Sequence, residues 1–317
     1  MWRTALFLFA LVCAGQTTQP TLKDVLAWLP DDTETVIGTN GPFPIPNSDA
    51  RSNDDSGQGE LSSTQLELQM HMFALAVEGS RHFRPPASLG GMRYEGCGIA
   101  VFSSASALDR DAFLKNAAGS AVRFEEVAGV RIAVFEEPLE NDVWTTFVAF
   151  PRRNVVLVAT NIDYLRVVLA RVGGASGPRA LPETLPEWKY VNTRAPVWGV
   201  RHYQKREPDL DPTSPFSERA SANHPDNLAV GLAFWFEPSV RKMATVTYLS
   251  GSREGSQILQ EFLGAADAKT ASPREFQIRL RQPAPGVVEG VVGLAQEETF
   301  GRFLFGLVAM LGHAVYV

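Results

Sequence analysis

Between positions 122 and 160 the chain passes through four short runs of alternating apolar residues, each closed by a turn signal, and this pattern restricts the fold more than any other feature. Runs 122–127 and 130–135 flank Ala128-Gly129, where the glycine suits the two-residue loop of a hairpin. Runs 144–150 and 155–160 repeat the arrangement around Pro151-Arg152-Arg153-Asn154. Four strands in meander order predict an antiparallel sheet. Immediately after them Leu165, Val168, Leu169 and Val172 form one stripe at helical spacing, and Asn161 stands where an N-cap belongs, which predicts a helix over 162–172.

Upstream, Leu22, Val25, Leu26 and Leu29 predict a short amphipathic helix stopped by Pro30-Asp31-Asp32, and the β-branched run 33–39 predicts a strand. Residues 44–60 are proline, glycine, serine and acid with almost no apolar residue, which predicts an exposed loop. Residues 61–78 carry Leu66, Met70, Phe73, Leu75 and Val77 among good helix formers and predict a helix; 94–102 predict a strand and 109–118 a helix. Past the breaker Gly173-Gly174-Ala175-Ser176-Gly177-Pro178, strands are predicted at 195–203, 228–236, 243–249, 276–280 and 287–292, with helices at 255–263 and from Glu297 onward. The expected class is α+β, with largely antiparallel sheets and packed helices. Its first unit covers 21–172 and its second 181–317, and their common element order suggests two topologically similar halves.

The N-terminus has the three-part layout of a cleavable export signal: Arg3, an apolar run from Ala5 to Val12, and the small residues Cys13, Ala14 and Gly15. The run is far shorter than the roughly 20 apolar residues of a spanning helix, so residues 1–15 are expected to leave. Retention as an anchor and lipidation of Cys13 are the alternatives, the latter opposed by bulky Leu11 and Val12. The near-continuous apolar stretch 303–317, about 15 residues interrupted by His313, is also short of a spanning helix, and burial against the sheet is expected over membrane insertion. The mature chain is therefore expected to be secreted or periplasmic, with no integral membrane span. Cleavage would leave Cys97 as the single cysteine, either a small buried hydrophobe or a nucleophile, and no intramolecular disulfide could form. With 45% hydrophobic and 20% charged residues the chain has the composition of a cored protein, and a net charge of −6 gives no footprint for nucleic acid.

The five histidines fall in no metal or catalytic spacing, and HExxH, CxxC, GxSxG, GxxxxGK[ST] and GxGxxG are all missing. No catalytic residue, metal ligand or cofactor is assigned. The richest polar cluster joins Arg201 and His202, on a predicted strand, to Asp209, Asp211, His224 and Asp226 in the long loop that follows, and long loops on rigid scaffolds are where function concentrates. Arg201 and His202 should point to opposite faces of the sheet. His202 is expected to be an interior histidine bonded to backbone.

Leu29-Pro30-Asp31-Asp32-Thr33-Glu34-Thr35-Val36-Ile37, with Phe147-Val148-Ala149-Phe150 and 155–161, resembles segments of exported bacterial proteins of unknown function built from repeated α+β units. The resemblance implies export and the repeated unit, and carries no catalytic residue. Together these readings lead to an exported protein with a non-enzymatic binding or structural role, its partner an unknown protein or envelope component met through sheet edges or the 205–227 loop. The alternative is a hydrolase or metal-dependent enzyme whose site gathers distant residues such as His202, His224, Asp209 and Asp226.

Overall fold

Residues 18–40, 69–77, 96–104, 107–111, 114, 122–138, 143–203, 229–237, 243–269 and 276–294 are described by a computed structural model. The leader, the loop 44–60, the loop residues Asp209, Asp211, His224 and Asp226, and the helix expected from Glu297 lie outside them. Strands dominate an α+β architecture. They are β1 (Thr33–Thr39), β2 (Gln69–Val77), β3 (Gly96–Ser103), β4 (Val122–Val127), β5 (Val130–Pro138), β6 (Val143–Arg152), β7 (Val155–Ala159), β8 (Val197–His202), β9 (Ala229–Glu237), β10 (Met243–Ser250), β11 (Phe276–Ala284) and β12 (Val287–Leu294). All pair antiparallel, in the order β11-β12-β10-β9-β8-β1-β2-β3-β7-β6-β5-β4.

The meander forms as the alternation requires, β7 beside β6, β6 beside β5 and β5 beside β4. Its first turn places Ala128 and Gly129 at φ of 50° and 74°, the left-handed pair that a two-residue hairpin needs. Helix α1 (Leu22–Trp28) begins with a capping box in which Thr21 and Asp24 satisfy each other's backbone N–H groups. Asp24's carboxyl is held below its usual range, first by the Thr21 side chain and then by the Thr21 backbone. Helix α2 (Ile162–Val172) starts at Asn161, whose side chain accepts from the N–H groups of Asp163 and Tyr164. Helix α3 (Arg253–Lys269) follows β10.

One expected element is corrected. The helix over 61–78 is, across 69–77, the inner strand β2, hydrogen-bonded to β1 on one side and β3 on the other. Its Gln, Met, Leu and Ala residues favour helix in isolation, yet propensity is a weak term beside strand ladders on both sides. The helix expected over 109–118 is helical at Arg110, Asp111 and Leu114 and not at Asp109, its other residues lying outside those described.

Alternation divides the core between the faces. On one face Val36, Ile99, Val101, Ile132, Val134, Leu157, Trp198 and Val200 pack under α1 and α2 and under Ala180 and Leu181 of the connecting chain. On the other, Ala133, Val148, Phe150 and Val156 meet Leu108 and Leu114. Arg201, Leu232, Tyr248 and Val288 succeed one another as cross-strand partners on that same second face. Leu259 of α3 packs there against Val288 and Tyr248.

β1 and β8 join the parts of the sheet that precede and follow the glycine-rich breaker. All seven β1 residues are buried, and Val36 faces Val200 while Gly38 faces Trp198. The Trp198 indole occupies the space where a Cβ on Gly38 would sit, and the Phe234 ring does the same over Gly199. Both glycines thus let a large ring lie flat on the backbone.

An alanine at Gly38 has to displace the Trp198 ring, so Gly38→Ala is expected to cost about 1–3 kcal/mol of overpacking, read as a lower urea midpoint. Gly129→Asn is the control: the position is open, and asparagine tolerates the left-handed backbone, so its midpoint should stay near that of the parent.

Candidate functional site

β8 carries the two charged residues singled out from the sequence, and alternation sends them to opposite faces. His202 shares the face of Trp198 and Val200, whereas Arg201 faces Leu232 on the side of α3.

His202 does not bond to backbone as expected; a carboxylate holds it. The chain after the glycine-rich breaker crosses the sheet and forms a 3-10 turn, Pro186–Lys189, with proline in its first turn. This turn packs on β8 and β9. Glu187 is fully buried, and its carboxylate lies where a Cβ on Gly231 would be. Gly231 is the cross-strand partner of His202. The missing side chain on β9 therefore makes the slot that brings Glu187 Oε1 to 2.8 Å from His202 Nδ1. Nδ1–H donates to the carboxylate, which leaves Nε2 as the ring atom available for exchange. The imidazole is 36% exposed while Glu187 is at 0%. Glu187 Oε2 is buried without a hydrogen-bond partner, so His202 is the main compensation for that charge.

The turn is itself anchored. The Trp188 indole N–H donates to the carbonyls of Leu181 and Pro182 at 3.1 Å each. Its ring lies 6.1 Å from that of Trp198 at a 55° tilt, within the range of a favourable aromatic contact. Glu187 thus rides on the same tryptophan that covers Gly38.

On the opposite face Arg201, at 0% exposure, lies 3.6 Å from Glu34 and 4.3 Å over the Tyr203 ring. Glu34 reaches it because the β1–β2 register shifts between Thr33 and Thr35. A bulge there puts Glu34 and Thr35 on one side and turns Thr33 to the other. Thr33 Oγ1 accordingly meets the Tyr164 hydroxyl of α2 at 2.7 Å, on the Trp198 face.

Of the residues named from sequence, Arg201 and His202 are neighbours separated by the sheet, and Asp209, Asp211, His224 and Asp226 lie in 204–228, outside the described residues. Glu34 and Glu187 were missed. Glu34 had a signal, a lone acid in a β-branched run. Glu187 had only the glycine interrupting the apolar run of β9. Among the described residues no three His, Cys, Asp or Glu side chains gather as a metal would need, and no helix is long and apolar enough to cross a membrane.

Comparison with protein-family models, with curated proteins and with solved structures gives no match.

The hydrogen bond from His202 to Glu187 raises the imidazole pKa above its ordinary 6.5; burial opposes this, and the charges of Glu187 and Glu34 add to it. A raised folded-state pKa contributes stability that is complete below 6.5 and fades as pH climbs through the folded value. Urea midpoints should therefore fall with rising pH across that window. His202→Gln should flatten the dependence and cost about 1–3 kcal/mol at low pH, by removing the cation beside a buried acceptor.

Proposed function

We propose that this chain is an exported, non-enzymatic binding protein whose contact surface is the rim where β8 ends and β9 begins, with an envelope component or protein as its partner. The observation that carries the reading is the half-exposed imidazole of His202, fixed by a fully buried carboxylate and standing two residues before the long connection 204–228. A polar group locked in one rotamer loses little entropy on contact, which is the condition for a preorganised binding group. Export rests on the leader composition of residues 1–15, and the absence of a remaining span on their brevity.

The chain is further read as two topologically similar halves. The strand order supports this: β1-β2-β3-β7-β6 runs outward from the seam in one direction as β8-β9-β10-β12-β11 does in the other. A helical segment follows the third strand of each, Arg110 in the first and α3 in the second, and the β4–β5 hairpin is extra to the first. Long connections, 41–68 and 204–228, follow the first strand of each half. Since β1 and β8 are antiparallel, these connections depart from opposite ends of the sheet.

A second reading, a hydrolase or metal-dependent enzyme, is favoured by the same pair, because a carboxylate on Nδ1 is also how a catalytic or metal-binding histidine is oriented. One set of measurements separates the two. Mature protein should co-sediment with isolated envelope fragments, and His202→Ala, shown folded by circular dichroism, should lower the bound fraction several-fold without changing metal content. Robust hydrolytic turnover lost in that variant, or stoichiometric metal lost with it, would replace the binding reading by the enzymatic one.

A further inference from the structure

The sheet has two terminal strands, and they differ in a way that bears on assembly. At one end, β11 carries exposed Arg279 and Arg281 on one face, Pro283 near its end, and an irregular register between Arg281 and Ala284. In a two-fold antiparallel pairing, opposed residues must share a face, so the register is centred on a single residue. Centring β11 on 279, 280 or 281 sets arginine against arginine each time, and like charges directly opposed are unfavourable. Charge, proline and irregularity are the devices by which an edge avoids pairing.

At the other end β4 reads Val122-Arg123-Phe124-Glu125-Glu126-Val127 and has β5 on one side and no described strand on the other. It lacks proline and register irregularity. Phe124 is 45% exposed, among the few large apolar side chains so placed among the described residues. Its ring is capped by the Arg131 guanidinium at 4.1 Å. Arg123 and Glu125 share the face of Val127, while Phe124 and Glu126 share the other. A two-fold pairing centred on Glu125 opposes glutamates, and one centred on Arg123 opposes arginines. Centred on Phe124, the same strand becomes self-complementary. Phe124 meets Phe124, Arg123 meets Glu125 of the second copy twice over, and only the peripheral Val122 and Glu126 lack a matching group.

We propose that β4 is the interface of a two-fold homodimer, in which a second copy of this chain adds its own β4 antiparallel with Phe124 at the axis and continues the sheet from one subunit into the next. Arg123 stands ready for this exchange, since it lies 2.8 Å from both Glu125 and Glu136 within its own chain and these exposed pairs are weak enough to rearrange. Because β11 is guarded, assembly stops at two. The proposal is independent of the His202 rim, which lies on strands at the middle of the sheet.

Sedimentation velocity of the mature protein in reducing buffer, which removes any Cys97 crosslink, tests it. A concentration-dependent dimer is expected. Arg123→Glu or Glu125→Arg alone should weaken its dissociation constant roughly tenfold or more, because each creates two opposed like-charge contacts. The protein carrying both exchanges should dimerise again, and Phe124→Ser, on an exposed position, should weaken association without unfolding the chain. A monomer at every soluble concentration, growth beyond two, a dimer indifferent to these substitutions, or a folded double exchange that stays monomeric would each overturn the proposal.

Discussion

The ladder between β1 and β8 is the constraint on which the rest of the structure depends. It is the single strand pairing, among those described, that joins the strands before the glycine-rich breaker to those after it. Both faces of the seam are fixed by specific chemistry. On one, the Trp198 indole lies on Gly38; on the other, the bulge at Glu34 turns a carboxylate toward buried Arg201. A one-residue slip would drive Arg201 into the tryptophan face and Trp198 toward α3, so the ion pair and the ring specify the same register. Such a pair adds little net stability compared with apolar residues of equal volume. Its value at this position is that a one-residue slip would break it.

The candidate site is built on this seam. The 3-10 turn can bury Glu187 only because Trp188 rests against Trp198 and because Gly231 leaves a slot. The connecting chain is tied down further back, where Arg171 of α2 donates to the carbonyls of Leu29 and Pro178 at 2.7 Å each. Ala180 N–H also donates to the Leu29 carbonyl. A glycine-rich segment that reads as a flexible breaker thus ends in a well-anchored clamp. Its carboxylate orients a histidine at the end of β8, an interior strand of the sheet.

Much of the fold was legible because the local signals agreed with the tertiary outcome. The run 33–39, the helix 22–28 and the helix 162–172 capped by Asn161 all coincide with the observed elements. The meander after β3 was equally clear, since each turn carried its own residue chemistry. β2 was misread because its Met, Leu and Ala residues favour a helix in isolation, whereas the strand ladders with β1 and β3 hold the segment extended, and those partners lie outside any local window. Of the site, the separation of Arg201 from His202 followed from strand geometry. Their partners did not, because Glu34 depends on a bulge and Glu187 on a cross-strand glycine, and neither relation exists within a local window.

Amide hydrogen exchange at native pH tests the central claim most directly, because each strand reports its own opening free energy. If the β1–β8 seam holds the sheet together, the amides of Thr35 through Thr39 and Val197 through Arg201 should exchange only through global unfolding. The terminal strand β11 should open at lower free energy. If β1 and β8 exchanged faster than β3 and β10, the seam would be a soft junction between two separately stable parts, and this account of the sheet would be contradicted.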